Sequence, residues 1–179
     1  QGASKRSLPA FHKGIHAVRE ADYATAVERF AEGLAVDPDN VPARISYARA
    51  LYLAGQAEAA RSELETALAE KPDELLASFL LGVLHQQRGE TEQAADAYRR
   101  SLAINPGHAG SLFYLANLNF TLDRYADAAA GYAKALAADR EIAPARLLEL
   151  IARLRAGEPE AEIDRRLADL TAQFPGDPM

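Results

Sequence analysis

The chain has 179 residues, of which 49% are hydrophobic and 26% charged. This composition is that of a globular protein and excludes a chain that is mostly disordered. Acidic residues outnumber basic ones by 26 to 20, and the net charge of -6 argues against nucleic acid as the main partner. The absence of cysteine excludes disulfides and thiolate metal sites, and no apolar run approaches the ~20 residues of a membrane-spanning helix.

A 34-residue repeat runs along the sequence and organises most of it. Five sets of positions keep this period, and each set keeps one kind of side chain: alanine, leucine, large apolar or aromatic, small, and proline. Such self-similarity predicts an array of stacked two-element units. The five sets are Ala26, Ala60, Ala94 and Ala128; Leu34, Leu68, Leu102 and Leu136; Phe30, Leu64, Tyr98 and Tyr132; Gly14, Ala48, Gly82 and Ala116; and Pro38, Pro72 and Pro106.

Each repeat is predicted to hold two antiparallel helices. In the third repeat, an apolar helix over residues 75–88 stops at Gly89, and a second helix over 91–104 has apolar residues at a 3.6-residue period before Pro106. No segment alternates polar and apolar residues as a half-buried strand would. The predicted repeats in chain order are 7–40, 41–74, 75–108, 109–142 and a degenerate 143–175.

The two ends of the chain depart from the repeat pattern. In the last repeat Ile163 takes the place of a small residue, so its two helices are expected to pack less closely, and charged side chains on its other sides suit a terminal cap that meets water. Residues 1–6 and 176–179 are expected to be disordered. Because the first residue is Gln1 and not Met, the sequence indicates a processed or cut product.

This order of small, aromatic and proline positions in a 34-residue, two-helix unit resembles the tetratricopeptide repeat family, from Ser7 to about Ile142. The resemblance implies an all-α fold, a right-handed α-solenoid of antiparallel helix pairs with four repeats and a degenerate fifth capping unit. Two positions depart from the family pattern, Lys13 in the first repeat and Arg140 at the end of the fourth. The motif residues of the third repeat are Leu81, Gly82, Gly89, Ala94, Tyr98, Leu102 and Pro106.

The resemblance also implies a binding surface, because in this family the first helix of each repeat lines an inner groove. The matching positions are mostly apolar or aromatic here, which suits an amphipathic helix or an apolar extended segment of a partner protein. A chaperone-type carboxylate clamp is disfavoured, since Phe11 and Ile15 stand where that clamp has lysine and asparagine. The groove candidates are Phe11, Ile15, Ile45, Arg49, Tyr52, Phe79, Val83, Gln86, Phe113, Asn117 and Phe120, and the row includes Val18, Leu147, Ile151 and Leu154.

No pattern of residues supports catalysis, a cofactor or a metal. His12 and His16 are four residues apart on one predicted helix, but two histidines without a third ligand are a weak signal. We expect His16 to pack between helices and His12 to face solvent or the groove, and we expect structural roles for His85 and His108. The sequence contains no phosphate-binding loop, zinc-protease motif or serine-hydrolase motif, so a non-enzyme is predicted.

The leading hypothesis is a protein-interaction scaffold that binds a protein or peptide segment, without nucleic acid and without spanning a membrane. One alternative is a structural module that self-associates into a homo-oligomer, and another is the soluble part of a larger bacterial envelope-assembly or secretion protein. Arginine is strongly preferred over lysine, which suggests a bacterial source and leaves both cytoplasm and periplasm open. The lysines are Lys5, Lys13, Lys71 and Lys134.

Overall fold

A computed structural model describes the backbone of residues 2–174 and the side chains of residues 6–174. These residues form ten α-helices and no strand, so the all-α prediction is confirmed for the described part of the chain. Residue 1 and residues 175–179, which include the predicted disordered C-terminus, lie outside that part. The helices are α1 Gly2–Arg19, α2 Tyr23–Val36, α3 Val41–Leu53, α4 Ala57–Glu70, α5 Leu75–Gln87, α6 Thr91–Ile104, α7 Ala109–Thr121, α8 Tyr125–Ala138, α9 Ala143–Arg155 and α10 Glu160–Gln173.

The helices follow the 34-residue period of the sequence. The first helices of four repeats, α3, α5, α7 and α9, begin at Val41, Leu75, Ala109 and Ala143. After each of them a short turn leads into a second helix. In the N-terminal part of the chain α2 packs against α1 and α4 against α3, and in the C-terminal part α8 packs against α7 and α10 against α9. The odd-numbered helices are therefore the first helices of the repeats, and the even-numbered helices are the second.

The N-terminus differs from the sequence-based prediction of disorder over residues 1–6. Helix α1 already begins at Gly2, so residues 2–6 are helical. Alanine, lysine and arginine, which are good helix formers, occupy positions 3, 5 and 6 and allow the helix to start ahead of the repeat. Helix α1 is 18 residues long as a result, whereas the other first helices have 13.

Every helix pair is joined by the same kind of turn. One residue in each turn has a left-handed backbone, with φ between 57° and 91°. The following residue donates its N–H to the carbonyl five residues earlier over 2.8–3.0 Å, which is the Schellman arrangement that ends a helix. The five left-handed residues, spaced by 34, are Ala21, Gly55, Gly89, Asp123 and Gly157.

The chain divides into two compact units, residues 1–97 and 98–179, with the boundary inside α6. We call them the N-terminal unit and the C-terminal unit and describe each by itself. Among the helices of the described residues, none combines the length and the apolar character that crossing a membrane would need.

In the N-terminal unit, α1 and α2 approach each other closely. The ring of Phe11 packs against Phe30 with the ring centroids 6.5 Å apart, and it fills the space over Gly33. A Cβ atom on Gly33 would come within 2.2 Å of the Phe11 ring, and one on Gly14 would come within 3.0 Å of Phe30. The two glycines therefore let two aromatic rings fill the space between the helices.

A second apolar cluster of the N-terminal unit is shared by α3, α4 and α5. Ile45, Leu64 and Leu81 are buried in it together with small alanines that keep the helices close. Ion pairs lie at its margin: Arg44 binds Glu63 over 2.8 Å. Burial of the apolar side chains is the main stabilising contribution here, at roughly 25 cal/mol per Å².

The C-terminal unit has its core around Tyr132 on α8. Its neighbours in the cluster are mostly alanines, and a Cβ atom on Gly131 would lie 2.8 Å from that of Ala116. The last helix is different, because none of the described residues of α10 is buried and Leu167 is 37% exposed. Helix α10 therefore contributes no fully buried side chain to the core of this unit.

Candidate binding surface

In the N-terminal unit, six of the groove candidates are accessible to a partner. Ile15 and Arg49 are exposed, and the others are half-buried. Residues spaced by three and four share one side of a helix, and α3 contacts both α1 and α5, so these residues lie on neighbouring helices. We call this set the N-terminal face: Ile15, Arg49, Tyr52, Phe79, Val83 and Gln86.

Two groove candidates of this unit are corrected by the structure. Phe11 is only 7% exposed because its ring occupies the space over Gly33, between α1 and α2. Ile45 is only 6% exposed because it belongs to the apolar cluster of α3, α4 and α5. Neither side chain can contact a partner without unpacking the repeat, so both belong to the core.

Polar groups on the N-terminal face differ in whether they already have partners. Gln87 of α5 donates from Nε2 to the Tyr52 hydroxyl of α3 over 2.8 Å, which ties two neighbouring repeats together. Arg49 makes no hydrogen bond or ion pair with any described residue. The guanidinium of Arg49 is therefore available to a ligand, and the Tyr52 ring is held in place.

In the C-terminal unit, Phe113, Asn117 and Phe120 are all half-buried on α7. The Phe113 ring lies 5.8 Å from that of Tyr132, and the Phe120 ring lies 5.3 Å from that of Tyr125, as centroid distances. Part of each phenylalanine therefore supports the repeat, and only the remaining part is open. With Leu147, Ile151 and Leu154 of α9, these residues make up what we call the C-terminal face.

Asn117 has a structural bond that the sequence did not predict. Its Oδ1 accepts a hydrogen bond of 2.7 Å from the Tyr132 hydroxyl. Burial raises the pKa of Tyr132 to about 12, so the hydroxyl stays protonated and donates throughout the neutral range. Only the amide NH₂ of Asn117 is left to bond a ligand, which then must supply an acceptor.

Two exposed side chains were missed as candidates. Leu76 is 55% exposed and Leu8 is also exposed, and both occupy the second position of their repeats. The sequence carries the signal for them, because they lie two periods apart, three residues before Phe11 and Phe79. They extend the apolar surface of the first helices in the N-terminal unit.

The histidines have roles that differ partly from those expected. His16 does not pack between helices; it is exposed, and its Nδ1 lies 3.3 Å from a carboxylate oxygen of Glu20 one turn later on the chain. His85 contacts Glu90 over 2.5 Å, and hydrogen bonds from His85 and Arg88 lower the pKa of that carboxyl. No group of three metal-ligating side chains occurs within the described residues.

These features define a class of protein. Antiparallel helix pairs repeat with a fixed period, and their first helices expose apolar side chains. The class is that of helical repeat proteins.

Comparison with family models gives the particular family. Two models described as "Tetratricopeptide repeat" match residues 17–81 and 79–145. The chain therefore belongs to the tetratricopeptide repeat family, as the sequence motifs predicted. Members of this family are generally non-catalytic protein-interaction scaffolds.

Solved structures confirm the fold as an all-α solenoid of helix pairs. The crystal structure of MamA aligns with this chain with a TM-score of 0.81 and 16% identity, and the alignment covers 100% of this chain and 98% of the MamA chain. A tetratricopeptide repeat protein from Parabacteroides merdae is similar to 97% of this chain and 68% of its own, with a TM-score of 0.78 and 22% identity. The first TPR of Spaghetti (RPAP3), bound to the HSP90 peptide SRMEEVD, is similar to 66% of this chain and 94% of its own, with a TM-score of 0.64 and 22% identity.

One curated protein shares a segment with this chain. It is the probable biofilm formation methyltransferase WspC of Pseudomonas putida, which is 37% identical over 65 residues. The match covers 36% of this chain and spans only 15% of the length of that relative.

Proposed function

We propose that this protein is a non-catalytic scaffold that binds an apolar or amphipathic segment of another protein along the first helices of its repeats. One observation carries the proposal: large apolar side chains on these helices stay exposed in the folded units. Ile15 and Leu154, for example, are 42% and 43% exposed. Among the described residues, five exposed large apolar side chains lie on first helices and three on second helices, so the first helices carry more of this surface. Apolar surface left in contact with water favours burial against a partner.

The non-catalytic part of the proposal rests on what the accessible side chains can do. The N-terminal face offers aliphatic, aromatic and amide groups and a single guanidinium, which bind but do not form a nucleophile with its base. The named activity of the Pseudomonas putida protein belongs to the whole of that protein, of which this chain spans only 15%.

A second candidate is the role of an interaction module within a larger protein. The same match favours it, since the 65-residue segment that is similar to this chain is only 15% of that longer protein. Self-association is the remaining alternative, and sedimentation equilibrium of the purified chain separates it from the first two: a scaffold for another protein is expected to be monomeric at micromolar concentration.

The test begins with selection of binders from a random 16-residue peptide library displayed on phage. Synthetic copies of the enriched peptides are then titrated against matched pairs of variants. Ile15→Ser on α1 is compared with Val36→Ser on α2, because the two side chains are 42% and 41% exposed in the same unit. Leu154→Ser on α9 is compared with Leu167→Ser on α10 in the C-terminal unit.

We expect a peptide bound to the N-terminal face to lose at least tenfold in affinity with Ile15→Ser and to keep its affinity within twofold with Val36→Ser. A tenfold loss corresponds to about 1.4 kcal/mol, which is within reach of a buried aliphatic contact. A peptide bound to the C-terminal face should respond in the same way to Leu154→Ser and not to Leu167→Ser. Equal losses within both pairs, or no enrichment from the library, would contradict the proposed function.

A further inference from the structure

The first helices of the N-terminal unit carry charges of one sign. Helices α1, α3 and α5 contain six lysine and arginine residues and no acidic residue. All acidic residues of this unit lie on α2, α4 and α6 or in the turns. The whole chain has a net charge of -6, so the charge of these first helices is opposite in sign to that of the protein.

Arg49 brings this positive charge into the N-terminal face. Its side chain is exposed and makes no ion pair with a described residue, whereas Arg44 on the same helix binds Glu63 and Glu70 over 2.8 and 3.7 Å. Ile15 and Val83 occupy the same repeat position one period before and after it, on α1 and α5, and α3 contacts both of these helices. The guanidinium therefore lies in an apolar row with no acidic residue on α1, α3 or α5.

We infer that the N-terminal face selects a partner segment in which apolar side chains flank an aspartate or glutamate, and that Arg49 pairs with that carboxylate. This inference deepens the proposed function and rests on it. A guanidinium can donate two parallel hydrogen bonds to a carboxylate, and apolar groups that exclude water strengthen such a pair. A basic segment would place like charge against Arg49 and leave both charges unpaired.

The experiment uses the same phage-displayed library of 16-residue peptides. Peptides selected by the N-terminal face, identified by their sensitivity to Ile15→Ser, are expected to be enriched in both acidic and apolar residues. One such peptide and its Glu→Lys counterpart are then titrated against the wild-type chain and Arg49→Glu. The control is Arg100→Glu, the same change at an exposed arginine of α6, a second helix, that has no partner among the described residues.

We expect Arg49→Glu to lower the affinity for the acidic peptide at least tenfold and to raise the affinity for its lysine counterpart. Arg100→Glu should leave both affinities within twofold of the wild type. The exchange on the peptide tests the same pair in the unaltered protein, so a folding defect in the variant does not obscure the result. Selected peptides that are apolar but lack acidic residues would overturn the inference and leave the proposed function standing. No enrichment from the library would overturn both the inference and the proposed function. Displacement of the acidic peptide by a 20-nucleotide single-stranded DNA would show that negative charge alone is enough for binding, and it would overturn the requirement for apolar side chains in the partner segment.

Discussion

At the residue scale, one position in each repeat determines how the helix pair turns. This position has a left-handed backbone in all five turns, and glycine occupies it in three of them. Ala21 and Asp123 take the same conformation with φ values of 58° and 57°, although an L-residue there costs roughly 1–2 kcal/mol. The hydrogen bonds of the turn hold both residues in place, and aspartate tolerates this region better than alanine does.

Replacing Ala21 by glycine should therefore stabilise the protein. Removing the Cβ atom relieves the left-handed strain, and the greater freedom of glycine in the unfolded chain offsets part of the gain, which leaves about 0.5–1 kcal/mol. Urea unfolding followed by circular dichroism measures the difference. Ala59→Gly at an exposed helical position of α4 is the control and should lose about 0.5–1 kcal/mol. A loss of stability for both variants would refute the strain at Ala21.

His108 makes stability depend on pH through the start of α7. Its Nδ1 accepts the backbone N–H of Ser111 over 3.2 Å, and burial lowers the pKa of the imidazole below its ordinary value of about 6.5. The neutral ring is the form that caps the helix, so its contribution is complete above that ordinary pKa and is lost as the pH falls below it toward the folded-state pKa.

We expect the melting temperature of the wild type to fall relative to that of His108→Asn between pH 8 and pH 5. Asparagine caps a helix without titrating, so the variant lacks this source of pH dependence. Thermal melts at several pH values measure the difference. If the melting temperatures of the two proteins change with pH in parallel, His108 is not the source of the pH dependence.

At the scale of the helices, the repeat pattern predicted the elements well and their outward-facing residues less well. Four first helices begin where the 34-residue period places them, because small, aromatic and proline positions recur together. Phe11 was misplaced because its orientation depends on a neighbour in α2. Gly33 stands where the next three repeats have Ala67, Ser101 and Ala135, and the missing side chain opens the space that the Phe11 ring fills. That difference was visible in the sequence.

Gly33→Ala should destabilise the first repeat by about 1–3 kcal/mol, because the added Cβ atom would meet the Phe11 ring at 2.2 Å. Chemical denaturation measures the change. Combining it with Phe11→Leu should cost less than the sum of the two single changes, since a smaller side chain gives up the contested space. Gly107→Ala, whose Cβ atom would meet only Asn105 Oδ1 at 3.4 Å, is the control and should change stability by less than about 0.5 kcal/mol. Equal effects of Gly33→Ala and Gly107→Ala would contradict the close approach of α1 and α2.

At the scale of the whole molecule, the sequence predicted the family, but it did not predict the hydrogen bonds made by the groove candidates. The period of 34 residues identifies the fold because the same kinds of side chain recur at the same positions of successive repeats. The bond from Tyr132 to Asn117 and that from Gln87 to Tyr52 each join different helices, and which polar groups meet depends on distances that no periodic pattern specifies. Which polar groups of the N-terminal and C-terminal faces already have a partner is therefore known only from the structure.

The central claim is that partners bind to the first helices of the repeats. Backbone amide chemical shifts of the ¹⁵N-labelled 19.3 kDa chain, recorded during titration with a library-selected peptide, test it most directly. We predict that the largest shift changes fall on the odd-numbered helices, in α1, α3 and α5 for a peptide sensitive to Ile15→Ser and in α7 and α9 for one sensitive to Leu154→Ser. Largest changes on the even-numbered helices, or changes spread evenly over both sets, would contradict the claim.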